Sequence, residues 1–160
     1  MKYYIIAGEA SGDLHGSNLM KGIYAEDPHA DIRFWGGDLM KSVGGELVRH
    51  YKEGAIIGFV EVFVKARMLL GNVSFCKKDI KEWNPDVVIL IDYPGFNFKI
   101  AEFAHKAGFK VFYYIAPKVW ASREGRIKKL KAYVDKLCIV FPFEIPYFTR
   151  KGIPFVYKGN

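Results

Sequence analysis

Three carboxylates stand where a chain could do chemistry on an alcohol. Two of them, Glu9 and Asp13, lie in AGEASGDLHG, residues 7–16, among Gly8, Gly12 and Gly16 and directly after the apolar run Tyr3–Ile6. The third, Asp92, follows the run Val87–Ile91 and opens the turn IDYPGFN. Glycine-rich loops after a first strand commonly hold phosphate on backbone N–H groups. Two carboxylates would repel that charge, whereas sugar hydroxyls make good partners for them. The opening loop therefore reads as a hydroxyl-binding site, with Ser11 and Gly12 between its acids. A carboxylate at a strand tip can also take the proton of an attacking hydroxyl, which fits Asp92. Plainer roles compete at each position. Asp13 in the first turn of a helix would stabilise the positive helix end by about 0.3–1 kcal/mol. Asp92 would cap loop amides, and Asn97 would serve as a helix N-cap.

Other chemistries are excluded by spacing. The glycines of the opening loop do not form G-x-G-x-x-G, and no phosphate loop ending in Gly-Lys-Ser/Thr occurs. Ser11 has acids two residues to either side, where a nucleophile elbow needs glycines. The four histidines show no metal-binding spacing, and no Asp-x-Asp pair is present, so no metal or cofactor is expected. Cys76 and Cys138 lie far apart, which suits a reducing, cytoplasmic setting.

The elements that must position these residues read as alternating strand and helix. Apolar runs recur at 3–7, 32–35, 86–92, 110–116, 136–141 and 153–157. Runs as continuous as Val87–Ile91 belong to strands buried on both faces, as in a parallel sheet covered by helices. Leu19, Met20, Ile23 and Tyr24 give one apolar face to a helix over 13–26. Ile127, Leu130 and Val134 do the same over 122–135, and a third helix is expected from near Asn97 to Gly108. The fold class is α/β, a doubly wound parallel sheet. With 160 residues, 51% hydrophobic, the chain supports one domain. Its last strand has no closing helix, so the chain reads as ending at a domain boundary.

Ligands of such sheets bind at the carboxyl ends of the strands. Three ends carry unusual residues: the opening loop, IDYPGFN, and APKVWASREGR at residues 116–126. The formal charge of +7 lies entirely in residues 81–160, much of it in REGRIKKLK. That stretch is either a solvated helix face or an anion contact, to phosphate, membrane or nucleic acid. Nucleic acid is disfavoured, because basic residues elsewhere are scattered and Phe112, Tyr113 and Tyr114 sit in a buried strand. The stretch AIIGFVEVFVKARMLL, residues 55–70, is apolar on every helical face but interrupted by Glu61, Lys65 and Arg67. It is too short and too charged to span a bilayer. It is either a core helix or one lying in the membrane interface, with Phe59, Phe63 and Leu70 inserted and Lys65 and Arg67 at the headgroups.

The motifs AGEASGDLHG, GFVEV, IDYPGFN, YYIAPKVWA and FPFE together resemble the N-terminal half of the lipid-A-disaccharide synthase family, in the family's order and across essentially all 160 residues. The resemblance implies a family-19 type glycosyltransferase of GT-B architecture, with two Rossmann-like domains and no metal requirement. Residues 1–160 would be the acceptor-side domain, and a C-terminal domain absent from this chain would hold most of the UDP site. The implied reaction joins UDP-2,3-diacylglucosamine to 2,3-diacylglucosamine 1-phosphate, giving a β-1,6-linked disaccharide and UDP. The implied location is peripheral, on the cytoplasmic face of the bacterial inner membrane. A transferase of the same architecture with another lipid-linked or peptidoglycan precursor as acceptor is the alternative. Glu9 and Asp92 match acids of the family motifs and carry over as catalytic candidates. Either of them is the general base, and the other orients a hydroxyl. Ser11, Gly12, Asp13, Asn97, Lys118, Trp120, Arg123 and Arg126 are the expected substrate contacts, the cations among them for the acceptor phosphate or lipid headgroups. Many relatives carry a second acid where this chain has Gly95 and a serine where it has Lys118, which leaves Asp92 as the one acid of its loop.

Overall fold

The computed structural model describes residues 1–54, 62–116 and 125–157. In chain order the elements are β1 (Lys2–Ala7), α1 (Ala10–Glu26), β2 (Asp31–Gly36), α2 (Asp38–Val43), β3 (Glu46–His50), α3 (Val62–Trp83) and β4 (Val87–Ile91). They continue with α4 (Pro94–Lys106), β5 (Lys110–Tyr114), α5 (Gly125–Tyr133), β6 (Lys136–Ile139), α6 (Glu144–Arg150) and β7 (Val156–Tyr157). The strands form one sheet in the order β3-β2-β1-β4-β5-β6-β7, and every neighbouring pair is parallel. The order runs outward in both directions from the β1–β4 pair, so these two strands flank the topological switch point, where such sheets open a crevice.

Side-chain alternation along the central strands explains why both faces are covered. Tyr4 and Ile6 of β1, with Val88 and Leu90 of β4, enter one buried cluster. Ile5 and Ala7, with Val87, Ile89 and Ile91, enter another on the opposite face. All five residues of β4 are buried, as a continuous apolar run requires. The first cluster is closed by α3 and α4, and α1 and α2 supply Met20 and Met40 to the second.

Helix α3 contributes Val73, Cys76 and Ile80, with Leu69 and Trp83 packed at the ends of the same stripe. A polar network fixes its height on the sheet. Arg33 donates two hydrogen bonds to Asp79, from Nε at 2.8 Å and Nη2 at 2.7 Å. The Tyr4 hydroxyl donates to the same carboxylate at 2.7 Å and accepts from Trp35 Nε1 at 2.8 Å. β1, β2 and α3 are thereby tied together beneath Trp35.

Of the stretch 55–70, read as either a core helix or one lying in the membrane interface, residues 55–61 and the side chains of 62–64 lie outside the described residues. Residues 65–67 and Leu70 lie exposed on α3, with Leu70 at 59%, and among the described side chains Leu69 packs against the buried stripe of α3. Three elements were not anticipated. β3 is a partly exposed edge strand of mixed composition, so it carries no apolar run. α2 and α6 are shorter than two full turns of periodic signal. α4 begins at Pro94, three residues before Asn97, because proline suits the first helical position.

Candidate active site

The β1–α1 and β4–α4 turns lie side by side, since Ala7 pairs with Ile91 at the carboxyl ends of adjacent strands. Glu9 is the N-cap residue of α1, yet its side chain makes no capping hydrogen bond. Its carboxylate is exposed instead. Asp92 is half-buried and takes a left-handed backbone at φ 42°, followed by Tyr93 at φ 48°. Two consecutive non-glycine residues in that region are costly, about 1–3 kcal/mol each, and such strain concentrates at functional sites.

The surroundings hold this turn in place. Asn97 is fully buried, and its Nδ2 donates to the carbonyl oxygens of Ile91 at 3.3 Å and Asp92 at 2.9 Å. The Tyr113 hydroxyl donates to the Asp92 carbonyl at 2.6 Å. Burial, then the charge of Asp92, push that hydroxyl well above its ordinary pKa, so it remains a donor. The Asp92 N–H in turn donates to the carbonyl of Ile115 at 3.3 Å, a β-branched residue itself at φ 66°. Tyr93 lies across Gly8, where an added methyl would come within 2.3 Å of its ring. Burial, then the nearby charge of Glu9, raise the Tyr93 hydroxyl.

The structure separates the expected contacts into groups. Glu9 and Ser11 are exposed and Asp92 is half-buried. Arg126, near the start of α5, sits over Phe98 at 5.7 Å, and its charge reaches the Tyr113 hydroxyl. Asp13 is corrected as a substrate contact. It is 3% exposed, and its oxygens accept the N–H groups of Gly37 at 2.8 Å, Leu39 at 3.0 Å and Met40 at 3.0 Å. It caps the first turn of α2 rather than facing the crevice, and it does so from a neighbouring helix. Gly12 is likewise buried, with an added methyl 3.1 Å from the Ala7 side chain, so it lets α1 approach β1. Asn97 is neither an N-cap nor an accessible contact; it braces the Asp92 turn from within α4. Lys118, Trp120, Arg123, Phe59 and the side chain of Phe63 lie outside the described residues. Lys65, Arg67 and Leu70 are exposed on α3.

A cavity of about 420 Å³ opens beside these turns, over the ends of β1, β2 and β3. Its floor is apolar, from Ile6, Trp35, Leu69 and Phe96, and Gly8 and Tyr93 connect it to the carboxylates. The opposite wall carries Arg49, His50 and Lys65. Sequence reasoning missed this wall and missed Tyr113: Arg49 lies in the unanticipated strand β3, and the hydroxyl of Tyr113 is hidden in an apolar run. The arrangement suits an amphiphile that presents a hydroxyl to a base.

Comparison with known proteins identifies the family. The family described as lipid-A-disaccharide synthetase matches residues 3–160. The lipid-A-disaccharide synthase of Geobacter metallireducens is 45% identical over 156 residues, covering 98% of this chain and 41% of that protein. The synthase of Coxiella burnetii is 38% identical over 156 residues, covering 98% and 42%. The chain thus spans about two-fifths of the length of these curated relatives. Among solved structures, a UDP-GlcNAc 2-epimerase from Neisseria meningitidis bound to UDP-GlcNAc aligns with a TM-score of 0.67 at 11% identity, over 100% of this chain and 47% of that one. MurG of Acinetobacter baumannii aligns with a TM-score of 0.62 at 13% identity, over 100% and 45%. Identities this low speak for the fold alone, which is the Rossmann-like α/β domain of the GT-B class. With the family match running over all but the first two residues, the chain belongs to the lipid-A-disaccharide synthetase family.

Proposed function

We propose that this chain is the acceptor-side domain of an inverting glycosyltransferase that builds the lipid A disaccharide. The protein of which it forms part would transfer 2,3-diacylglucosamine from UDP to 2,3-diacylglucosamine 1-phosphate. The observation that carries this reading is the placing of two carboxylates, exposed Glu9 and half-buried Asp92, after adjacent strand ends beside a cavity lined by apolar side chains and by Arg49, His50 and Lys65.

The chemistry follows from charge. The acceptor's 6-hydroxyl attacks the anomeric carbon of the donor sugar while the bond to UDP breaks on the opposite face, inverting that centre. The hydroxyl must lose its proton as it attacks, so a carboxylate within hydrogen-bond reach accepts it. Asp92 takes this role, its position set by the strained turn, and Glu9 orients the hydroxyl from the β1 side. UDP carries the leaving charge and binds to the other domain.

Exposed Leu70, with Arg67 one turn before it on α3, supports a peripheral seat on the cytoplasmic face of the inner membrane. No helix among the described residues is long and apolar enough to cross a bilayer. Loss of liposome association by Leu70→Asp, with the fold intact, is the expected result; unchanged association counts against the membrane seat.

The deciding experiment is a disaccharide-forming assay on the intact protein. Asp92→Asn should lower turnover roughly 10²–10⁴-fold, the usual contribution of a general base, with acceptor binding nearly unchanged. Parental turnover in that variant rejects the assignment.

A further inference from the structure

The cavity wall opposite the carboxylates carries positive charge that no acid of the described residues neutralises. Arg33 on β2 makes the contrast plain, since it is paired with both Asp79 and Glu46 at 2.7 Å. Arg49, on the neighbouring strand β3, is half-buried and has no carboxylate partner among the described residues. Its Nη1 donates to the neutral Asn72 side chain, and its guanidinium lies 4.4 Å over the Phe75 ring and 5.7 Å from that of Trp35. Those contacts orient the planar fork without satisfying its charge. His50 is engaged otherwise, with Nε2 on Asp38 at 3.1 Å and Nδ1 accepting the N–H of Lys52 at 3.1 Å. Lys65 of α3 lines the same cavity and makes no ion pair among the described residues.

We infer that Arg49, with Lys65 on the same cavity, is the anion-recognition pair of this site, and that it takes the phosphate of an amphiphile lying on the Trp35–Leu69–Phe96 floor. The inference rests on the acceptor-side reading above and fixes how the acceptor lies. A phosphate cannot rest against Glu9, so it goes to the far wall. Strand β3 is two strand spacings from β1 and three from β4, about 10 Å and about 14 Å between backbones, and side chains reaching in from both edges narrow that gap toward the span of one phosphorylated sugar. A preoriented guanidinium suits this task, because it meets phosphate oxygens through two parallel hydrogen bonds. An anion site at the β3 edge is an alternative to the expected cations Lys118, Arg123 and Arg126, the first two of which lie outside the described residues.

The test uses the intact protein and two readouts. In steady-state assays, Arg49→Met and Lys65→Met should each raise KM for the phosphorylated acceptor roughly 10- to 100-fold, as loss of a charge-assisted contact predicts. The rise in KM should exceed any fall in turnover at saturation, and for an acceptor lacking the phosphate parent and variants should have equal KM. Equal KM for the phosphorylated acceptor in parent and variants overturns the inference while leaving the transferase reading standing. The second readout does not need activity. Binding of dodecyl phosphate, inorganic phosphate and phosphatidylglycerol vesicles is measured by calorimetry, with circular dichroism to verify folding. Dodecyl phosphate should bind at least roughly tenfold tighter to the parent than to Arg49→Met, with inorganic phosphate much weaker. Equal binding to parent and variant, inorganic phosphate as tight as dodecyl phosphate, or an Arg49 dependence seen with vesicles alone, each overturns it. Should variants misfold, Arg49→Lys, which keeps charge but loses the fork, is expected to give an intermediate KM.

Discussion

The Tyr113 hydroxyl and the Asp92 carbonyl are joined by a 2.6 Å hydrogen bond, from the interior of β5 to the tip of β4. Asn97 Nδ2 donates to the same oxygen at 2.9 Å. The backbone of Asp92 is therefore gripped from beneath, in a conformation its own φ of 42° does not favour. Release of that grip would let the turn relax and swing the carboxylate away. Tyr113→Phe keeps the ring and its 5.7 Å contact with Phe98 and removes only the donor. The expected stability loss is about 0.5–1.5 kcal/mol. The expected fall in turnover is disproportionate, roughly 10- to 100-fold, because small misplacement of a reacting group costs that much. KM should change little. A variant with lowered stability but parental turnover would show that the bond supports only the fold.

Asp13 offers the opposite case, an acid in the opening loop whose work is structural. Asp13→Ala leaves the N–H groups of Gly37, Leu39 and Met40 without their acceptor and exposes α2 to fraying. Unsatisfied buried donors cost about 1–3 kcal/mol each, and partial rehydration makes about 2–4 kcal/mol in total the expected loss by urea unfolding. KM for the acceptor, measured on the folded fraction of the intact protein, should stay at the parental value. A selective KM increase without destabilisation would return Asp13 to the substrate site.

These two residues also mark what the sequence could and could not reveal. The parallel α/β sheet, the helix α1 and the placing of Glu9 and Asp92 at strand carboxyl ends follow from continuous apolar runs and from the rule that parallel sheets bind at their carboxyl ends. Local pattern carries such information. The Asp13–α2 cap joins residues 24 to 27 positions apart through backbone N–H groups, which leave no trace in side-chain periodicity. Tyr113 reads as one more apolar strand residue, since nothing local distinguishes a hydroxyl that finds a carbonyl from one that does not. Arg49 was invisible for a related reason: β3 is an edge strand that alternates weakly, so the cation's position over Trp35 depends on pairing that only the fold supplies.

Gly8 and Tyr93 set the contact between the β1–α1 and β4–α4 turns. A methyl on Gly8 would meet ring atoms Cδ2, Cγ and Cε2 of Tyr93 at 2.3–2.5 Å, so Gly8→Ala must push the ring aside. Because Tyr93 already occupies a left-handed backbone, the displacement should pass to Asp92 next to it. Gly8→Ala is expected to lower turnover and stability together, and Tyr93→Ala in the same chain should restore part of both. A double-mutant cycle measures this, and residues in contact commonly show coupling of about 0.5–3 kcal/mol. Additive effects would mean that the ring and the loop adjust independently.

Asp79 lets the floor of the cavity be probed by pH. Burial alone would raise its carboxyl, but the hydrogen bonds from Arg33 and Tyr4, with the charge of Arg33, outweigh that and hold it below its ordinary value of 3.8. A depressed folded-state pKa means that the unfolded chain binds the proton first. The contribution of Asp79 is therefore complete well above 3.8 and is lost as the pH falls through the lower folded-state value. Asp79→Asn removes the charge that answers Arg33, and hydrogen bonds to charged groups contribute about 1.5–3 kcal/mol, so a loss of that order is expected at neutral pH. The difference between parent and variant should shrink as the pH is lowered below about 4. Urea midpoints across pH 3 to 7 follow this directly. A difference that stays constant over that range would mean that the Asp79 carboxylate contributes through shape and not through charge, and the tie between α3 and the cavity floor would then rest on packing alone.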